Sequence, residues 1–504
     1  MKGVKVIIFS LLLSVTFSCK STYRGSLVPD TPSEAPDYFC TWCIQGYVVN
    51  YTGSDNTREA INEKNIFGNS KYGNWINFFP EIRSDLYFVM DDSWDIPLNV
   101  NTSNNEYLGL TELDQTRFPS FKGNPVERLK GLTDKIKSHG WKGAGGWICA
   151  QESSVDKNHD NPDEYWISKL KDADSAGFGY WKVDWGKQEH NRQWRERLSD
   201  LGHEYAPQLF LEHAMVNDYI EFSDIFRTYD VENITSAPVT IQRIANILKH
   251  KTQGKAKGII NCEDEPYIAV GLGCAIGIMR YPFDGALPNG DQDPVFPPVG
   301  RNLKKRMDEV TRAVRWHRFA APFGVNNDAQ VDSVGLSDYW ILQEKETWMD
   351  RPTGSKLSVE APARISRNMP LPCISNLHSP HQPFVMASKY PNGAVAVVTI
   401  DRTLGRECIL TPETVTIELD DISSPVGIFG IYKELVLNYS QDIDKRKIKI
   451  YGQDLAGNVA VDITKSVKIE NKKIILSGNV INKIGLMAAS EGDVSAPGMV
   501  LQIF

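Results

Sequence analysis

The chain has 504 residues, of which 41% are apolar and 23% charged, an ordinary globular composition with room for two or three domains. The net charge of -8 and the pI near 5.7 argue against a nucleic-acid-binding protein, which usually carries a basic face.

The first 19 residues have the organisation of a lipoprotein signal peptide. Lys2 and Lys5 precede an apolar stretch of roughly a dozen residues, too short to span a bilayer as a stable helix. The stretch ends in Thr16-Phe17-Ser18-Cys19, which resembles a bacterial lipobox. We therefore expect a bacterial cell-envelope protein with a lipid anchor at Cys19, at a periplasmic or surface face, and a tether over residues 20–36. The alternative is an ordinary cleaved signal that happens to end at Cys19.

The cysteines indicate neither a disulfide framework nor a metal site. Beyond Cys19 there are seven, spread from Cys40 to Cys408. Cys40-Thr41-Trp42-Cys43 has the spacing of a redox motif, but it falls in a predicted strand, so two buried thiols or one local disulfide are expected. His and Cys residues with zinc-ligand spacing are missing from the sequence, so neither a metal nor another cofactor is expected.

From residue 37 to 345, short apolar runs alternate with amphipathic stretches, the pattern of repeated β-strand and α-helix units. Asn124-Pro125 and Asn161-Pro162 have the composition of helix starts. Eight strands over about 300 residues predict a (β/α)8 TIM barrel. A doubly wound open sheet is less favoured, because no strand is followed by a Gly-rich phosphate loop. The predicted strands are Tyr38–Cys43, Leu86–Met90, Lys142–Cys149, Tyr180–Val183, Leu209–Leu211, Ile225–Tyr229, Gly258–Asn261 and Tyr339–Leu342.

Residues 346–504 are predicted to form a linker and a C-terminal antiparallel β-sandwich domain. Turn sequences such as Pro391-Asn392-Gly393 separate its apolar runs. The domain would be either a sugar-binding module or a structural cover on the side of the barrel, and the structural role is the commoner one. The predicted strands are Phe384–Lys389, Ala394–Asp401, Val415–Leu419, Lys447–Tyr451 and Lys472–Leu476.

Polar residues at the strand ends are the candidates for chemistry, because TIM-barrel sites lie at the C-terminal ends of the strands. Carboxylates follow or end at least four strands, which is more than the capping of single helices explains. These strand ends carry Asp91 and Asp92, Lys182 and Asp184, Glu212, and Arg227 and Asp230.

Two carboxyl groups on opposite sides of a bond suit glycoside hydrolysis, with one as ionised nucleophile and the other as general acid and base. Lys182 lies two residues before Asp184, so both side chains are on the same face of the strand, and a nearby cation lowers a carboxyl pKa. Asp184 is therefore the better nucleophile candidate, and Asp230, two strands later, is a candidate acid. Asp91 and Asp92 suit the binding of adjacent sugar hydroxyls.

The motifs Asp91-Asp92-Ser93-Trp94, Phe118-Pro119, Lys182-x-Asp184 and Arg227-x-x-Asp230, in this order, resemble glycoside hydrolase clan D. The α-galactosidases of families 27 and 36 are the most similar, over roughly residues 37–345. The resemblance implies a retaining double displacement with Asp184 as nucleophile and Asp230 as general acid/base. It also implies sugar-binding roles for Trp42, Asp91, Asp92, Lys182, Glu212 and Arg227.

Two departures from this family concern the region around the substrate pocket. The family 27 motif Trp-Asn-Asp-Pro-Asp-Met-Leu is replaced by residues 260–266, Ile-Asn-Cys-Glu-Asp-Glu-Pro, in a region that lines the family's substrate pocket. Residues 288–299, rich in Pro and acidic residues, resemble an added loop that either narrows the pocket or lies inert on the surface.

The leading hypothesis is an exo-acting α-galactosidase with an oligo- or polysaccharide substrate. The same chemistry on α-N-acetylgalactosaminides or β-L-arabinopyranosides is the first alternative, and transglycosylation is another. A non-catalytic glycan-binding lipoprotein is the alternative from a different class. Nucleic acid is excluded as a partner, and the sequence leaves the oligomeric state open.

Overall fold

The computed structural model describes residues 25–53, 56–69, 72–100, 105–228, 236–282, 303–343, 352–376, 379 and 381–504. Three sequence predictions lie outside these ranges: the signal with Cys19, the candidate acid Asp230, and the loop 288–299. Within the described ranges, every helix is too short or too polar to cross a membrane.

Eight parallel strands form a closed barrel in sequence order, and the last strand pairs with the first. This confirms the predicted TIM barrel. The strands are β1 (Tyr38–Cys40), β2 (Tyr87–Met90), β3 (Gly143–Ile148), β4 (Tyr180–Val183), β5 (Phe210–His213), β6 (Ile225–Arg227), β7 (Ile259–Glu263) and β8 (Ala275–Ile278).

Most of the helices lie on the outside of the barrel, next to the strands that they follow, and the last helix packs against C-terminal strands. Two of them begin as predicted, because the side chains of Asn124 and Asn161 accept hydrogen bonds from the N–H groups of Glu127 and Glu164. The helices are α1 (Trp42–Thr52), α2 (Glu63–Phe67), α3 (Pro125–Ser138), α4 (Pro162–Ser175), α5 (Arg192–Tyr205), α6 (Ser236–Ile247), α7 (Pro266–Gly271), α8 (Met307–Trp316) and α9 (Gly478–Gly485). Short 3-10 helices cover Thr57–Ala60, Trp75–Asn77, Arg83–Asp85, Asn217–Glu221 and Leu303–Lys305.

Glycines in β3 make room for aromatic rings around the barrel. A Cβ atom on Gly145 would lie 2.6 Å from Cβ of Tyr180, and one on Gly146 would lie 2.8 Å from the ring of Trp94. Both distances are shorter than van der Waals contact. The glycines therefore let large side chains fill the core next to this strand.

The predicted eighth barrel strand is wrong. Residues 339–341 belong to a strand, Gly335–Ile341, that pairs with C-terminal strands, and the barrel is closed by β8, which was not predicted from the sequence. A second correction concerns Cys40-Thr41-Trp42-Cys43, which spans the end of β1 and the start of α1 rather than a single strand. Neither Cys40 nor Cys43 forms a disulfide within the part of the chain that the structure describes.

The C-terminal part contains a four-stranded, an eight-stranded and a five-stranded sheet. These sheets are mixed rather than purely antiparallel, since four strand pairs within them are parallel in the described residues. The strands are β9 (Ala329–Val331), β10 (Gly335–Ile341), β11 (Lys356–Pro362), β12 (Arg364–Arg367), β13 (Cys373–Ile374), β14 (Phe384–Lys389), β15 (Val395–Ile400), β16 (Arg402–Gly405), β17 (Glu407–Ile409), β18 (Thr414–Leu419), β19 (Val426–Phe429), β20 (Glu434–Tyr439), β21 (Ile450–Asp454), β22 (Val461–Asp462), β23 (Lys468–Glu470), β24 (Lys473–Ser477) and β25 (Gly498–Ile503).

The C-terminal sheets pack against the barrel through buried contacts. Arg312 of α8 forms an ion pair with Asp454 at the end of β21, with side chains 0% and 2% exposed. The hydroxyl of Tyr390 donates to the carbonyl oxygen of Val270 in α7 at 2.7 Å. Apolar side chains of both parts belong to one hydrophobic core. The two parts are therefore held together by packing as well as by the chain between them.

Candidate functional site

Asp184 follows β4 directly and lies at the C-terminal end of the barrel. Its N–H donates to the carbonyl oxygen of Ile148 at the end of β3, and its own carbonyl oxygen accepts from Nη2 of Arg195 at 2.6 Å. The carboxylate accepts one hydrogen bond on each oxygen, from Nη2 of Arg227 at 2.6 Å and from Nε1 of Trp147 at 3.0 Å. The side chain is thus held in one orientation by residues of β3 and β6.

The electrostatic surroundings keep Asp184 charged. Burial alone raises its pKa, but the Arg227 guanidinium, the Lys182 ammonium and the hydrogen bond from Trp147 outweigh it, so the pKa lies below the usual value of 3.8. The direct partner is Arg227, while Lys182 acts from farther away. The two-residue spacing in the sequence points to Lys182 as the cation that lowers this pKa, whereas the direct ion pair is with Arg227.

Lys182 makes its short contact with Asp91. Its Nζ lies 2.9 Å from Oδ2 of Asp91, and the Cys40 thiol donates to the same oxygen at 2.9 Å. Burial by itself lowers the Lys182 pKa. The opposite effects of Asp91 and then Cys40 are larger in sum, so the pKa lies well above its usual value. Oδ1 of Asp91 accepts from the N–H of Asp92 at 2.8 Å. Asp91 is consequently fixed through both oxygens.

Asp92 is bound by a side chain that does not belong to a barrel strand or its end. Arg58, on the 3-10 helix Thr57–Ala60, donates from Nε to Oδ2 of Asp92 at 2.9 Å, and the Ser93 hydroxyl donates to Oδ1 at 2.8 Å. Burial raises the Asp92 pKa to about 6, although Arg58 opposes the shift. The guanidinium of Arg58 also lies 5.9 Å from the ring centre of Trp185. Arg58 therefore bridges two walls of the site.

Glu212 lies beneath the other candidates, fully buried inside the barrel. Its Oε2 accepts from the Tyr180 hydroxyl at 2.7 Å and from Nδ2 of Asn261 at 3.0 Å, and its Oε1 lies 3.7 Å from Nε of Arg227. Burial raises its pKa to about 7 against the effect of Arg227. From this position Glu212 supports Arg227 from below and does not line the cavity.

Glu263, at the end of β7, is a site residue that the sequence analysis did not single out. Its Oε1 accepts from the Tyr38 hydroxyl at 2.8 Å and lies 4.0 Å from Nζ of Lys182 and 3.8 Å from Nη1 of Arg227. Glu263 stands between the two cations of the site. The strand predicted from the sequence ends at Asn261, two residues before the observed end of β7. Glu263 was therefore not recognised as a strand-end residue.

A cavity of about 170 Å³ opens over these side chains. It is smaller than the roughly 300–1,000 Å³ of sites for drug-sized ligands, and so suits one small ring. Three Trp rings and one Met give it apolar surface next to the charged groups. Its lining residues are Trp42, Arg58, Asp91, Asp92, Trp147, Lys182, Asp184, Trp185, Arg227, Glu263 and Met279.

The structure brings together six of the eight residues predicted for the site, with a seventh, Glu212, directly below them. Those in the cavity wall are Trp42, Asp91, Asp92, Lys182, Asp184 and Arg227. Asp230 lies outside the described residues, so its role as general acid stays a prediction. Arg58 and Trp147 were missed, because a 3-10 helix has no strand-end position and a Trp within a strand has the appearance of a core residue.

No protein-family model matches the chain, and no curated protein matches it in sequence. Among solved structures, a GH27 β-L-arabinopyranosidase of Geobacillus stearothermophilus is 14% identical, with 60% of this chain and 80% of that chain covered and a TM-score of 0.34. A candidate α-galactosidase/melibiase of Bacteroides fragilis is 10% identical, with coverages of 88% and 78% and a TM-score of 0.34. An α-amylase of Geobacillus thermoleovorans is also 10% identical, with coverages of 94% and 99% and a TM-score of 0.42.

These similar structures include a family 27 enzyme, the family that the sequence motifs resemble. Since all three TM-scores are below 0.5, an activity for this chain has to follow from the site itself.

Proposed function

We propose that the protein is a retaining exo-glycosidase that hydrolyses terminal α-galactosides. The observation that carries the proposal is the charged Asp184 carboxylate in the wall of a small cavity, held by Arg227 and Trp147. A glycosidase nucleophile must be ionised and fixed in orientation, and both conditions are met here. The similarity of the motifs to those of the α-galactosidases of families 27 and 36 supports the choice of sugar.

In the first step, an oxygen of Asp184 attacks the anomeric carbon and forms a glycosyl ester, while the bond to the leaving-group oxygen breaks. The leaving oxygen takes a proton from the general acid, for which the sequence predicts Asp230. In the second step, the same residue accepts a proton from water, whose oxygen attacks the anomeric carbon and releases Asp184. Two inversions retain the anomeric configuration.

The polar walls supply hydroxyl contacts for one sugar ring. Asp91 and Asp92 have both oxygens fixed by protein donors, and carboxylate oxygens retain lone pairs for sugar hydroxyls. Trp42 and Trp185 offer ring faces beside them. The small cavity favours removal of a terminal residue over cleavage within a chain.

A panel of aryl glycosides tests the activity. We expect hydrolysis of the α-D-galactopyranoside, and NMR of the first-formed sugar should show the α anomer. Faster hydrolysis of the α-N-acetylgalactosaminide or the β-L-arabinopyranoside would show that the enzyme prefers that sugar to galactose. Release of the opposite anomer would contradict the retaining mechanism.

The Asp184→Asn variant separates an enzyme from a glycan-binding protein. We expect it to lose hydrolysis and to keep sugar binding, measured by calorimetry, whereas the surface control Asp174→Asn keeps both. A wild-type protein that binds galactosides but hydrolyses none of the three aryl glycosides would favour the non-catalytic alternative.

We also propose that Cys19 carries a lipid anchor in the bacterial cell envelope. The lipobox-like Thr16-Phe17-Ser18-Cys19 supports this. Cell fractionation tests the anchor: the Cys19→Ala variant should move from the membrane to the soluble fraction. Its retention in the membrane fraction would contradict the proposal.

A further inference from the structure

Residues 25–36, within the stretch that the sequence predicts as a tether, are bound to the protein surface. Val28, Ser33 and Ala35 are buried, with 4%, 4% and 1% of their surface exposed. The N–H of Leu27 bonds to the Gln453 side chain of β21, whose Nε2 donates to the Ser26 hydroxyl at 3.1 Å. The expected tether over residues 20–36 therefore differs from the structure in residues 25–36.

This segment crosses the N-terminal face of the barrel, opposite the cavity. The N–H of Ser33 donates to Asp85, two residues before β2, and Nζ of Lys142, next to the start of β3, donates to the carbonyl oxygens of Ser33 and Ala35 at 2.7 and 2.6 Å. In a parallel barrel, the residues before the strands lie on one face and the residues after them on the other. Asp184 and Asp91 follow their strands and lie on the opposite face.

Arg318 holds Pro29, in the earlier part of the segment, at the same end of the molecule. Nη1 of Arg318 donates to the carbonyl oxygen of Pro29, and the Arg318 guanidinium also bonds to Asp85. Arg318 comes after α8, the helix that returns the chain to the N-terminal face. Leu27 and Pro29 are thus held by Gln453 of β21 and by Arg318, and the link from the described structure to Cys19 begins at Gly25.

Only six residue steps separate Cys19 from Gly25. Fully extended, they span at most about 20 Å. A chain of this length folds to a radius of gyration of about 23 Å, and because a uniform sphere has a radius about 1.3 times its radius of gyration, opposite faces lie on the order of 60 Å apart. A link of this length is shorter than the distance between opposite faces, so the cavity cannot face the membrane that holds the lipid.

We propose that the anchored protein rests with the N-terminal face of its barrel toward the membrane and its cavity directed away from it. The substrates are then glycans free in the surrounding medium or on other surfaces, and not the glycolipid headgroups of the membrane that carries the anchor. This inference rests on the proposed glycosidase activity and on the proposed anchor at Cys19.

A comparison of three protein forms tests the orientation. Each form is supplied with p-nitrophenyl α-galactoside in solution and with digalactosyldiacylglycerol in phosphatidylcholine vesicles. The forms are the lipidated protein in those vesicles, a lipidated variant with about 30 Gly and Ser residues inserted after Thr22, and the soluble Cys19→Ala protein. A flexible insert of that length extends by roughly 30 Å, since its root-mean-square span is about 5–6 Å times the square root of its length.

We expect all three forms to hydrolyse the soluble galactoside at similar rates. The inserted variant and the soluble form should cleave the glycolipid at least tenfold faster than the lipidated wild type. Equal cleavage of the glycolipid by lipidated wild type and inserted variant would overturn the orientation alone. Inactivity of all forms on the soluble substrate would overturn the glycosidase and, with it, this inference.

Energy transfer gives a second measurement that is independent of activity. A fluorescent amino acid is placed at Asp30, on the N-terminal face, or at Lys187, three residues after Asp184, both of which are exposed. With rhodamine-labelled lipid in the vesicles, transfer from position 30 should exceed transfer from position 187. The reverse order would overturn the proposal.

Discussion

At the scale of single residues, the charge of Asp184 depends on Arg227. The two side chains are 9% and 1% exposed and form a 2.6 Å ion pair, so little solvent screens their interaction. Burial would otherwise raise the carboxyl pKa, and a protonated carboxyl cannot act as a nucleophile.

The Arg227→Gln variant should therefore shift the pH dependence of activity. Loss of the cation leaves burial as the main effect, so the Asp184 pKa rises and the acidic limb of kcat/KM moves to higher pH, with a lower maximum rate. The exposed Arg197→Gln variant serves as control and should keep the wild-type profile. An acidic limb that stays in place in Arg227→Gln would show that Asp184 does not control it.

Cys40 is expected to position Asp91 rather than to react. Burial raises its thiol pKa well above the usual value, so the group stays protonated and donates to Asp91. Cys40→Ala should raise KM about 3- to 10-fold, the effect of one lost hydrogen bond, with a smaller change in kcat. Cys40→Ser should restore KM, because it restores a donor.

Two comparisons make this prediction specific. Cys274→Ala removes a buried thiol at the opposite end of the barrel and should leave KM unchanged. With a deoxy substrate that lacks the hydroxyl bound by Asp91, the effect of Cys40→Ala should shrink. An equal KM increase for the full substrate and for every monodeoxy substrate would contradict the positioning role.

The sequence was sufficient to place side chains at strand ends, but not to predict contacts that come from elsewhere. Asp91, Asp184 and Lys182 follow from strand position and spacing alone. Arg58 reaches the site from a 3-10 helix, whose place in space depends on the rest of the fold. Its pairing with Asp92 was therefore beyond a sequence prediction.

At the scale of secondary-structure elements, the missed strand β8 has a physical explanation. Its sequence, Ala-Ile-Gly-Ile, lacks the large β-branched run that usually indicates a strand. A Cβ atom on Gly277 would lie 2.9 Å from the ring of Tyr38 and 2.8 Å from Oδ1 of Asn261. The small residue is required by neighbours that the local sequence does not reveal.

The turn after β4 should tolerate little change. Gly186 has φ +149°, and an added Cβ would lie 2.7–2.8 Å from backbone atoms of Ala150. Gly186→Ala should lower the free energy of unfolding by about 1–3 kcal/mol through backbone strain, and should lower kcat because the displaced turn carries Asp184 and Trp185. Urea unfolding and steady-state kinetics measure the two effects.

Gly254→Ala is the matched control for this turn. Gly254 also has a positive φ, of +57°, but an added Cβ would meet nothing within 4 Å. We expect Gly254→Ala to lose less stability than Gly186→Ala and to keep the kcat of the wild type. Equal changes in the free energy of unfolding and in kcat for the two variants would contradict an effect of the close approach of Gly186 to Ala150.

At the scale of the whole molecule, the barrel and the C-terminal sheets share a buried ion pair. Arg312→Met leaves Asp454 buried without its partner, and losing one member of such a pair costs about 3–5 kcal/mol. Urea unfolding should show this loss. In contrast, Lys130→Ala breaks an exposed pair with Asp134 and should cost at most about 0.5 kcal/mol. If Arg312→Met lowered the free energy of unfolding by less than Lys130→Ala does, a stabilising contact between the barrel and the C-terminal sheets would be contradicted.

The sequence predicted the class of the fold better than the way its parts join. Alternating strands and helices identified the barrel, since that pattern is local. The mixed sheets and the bound segment 25–36 depend on long-range partners such as Gln453 and Lys142. A Pro- and Ser-containing stretch has the composition of a tether whether or not such partners exist.

The most direct test of the central claim is to trap the sugar on its nucleophile. The protein is incubated with 5-fluoro-α-D-galactosyl fluoride, digested with protease, and its peptides are examined by mass spectrometry. We predict one glycosylated peptide, with the modification on Asp184, and none after the same treatment of Asp184→Asn. A label on another carboxylate, such as Glu263 or Asp230, would contradict the assignment of Asp184 as the nucleophile.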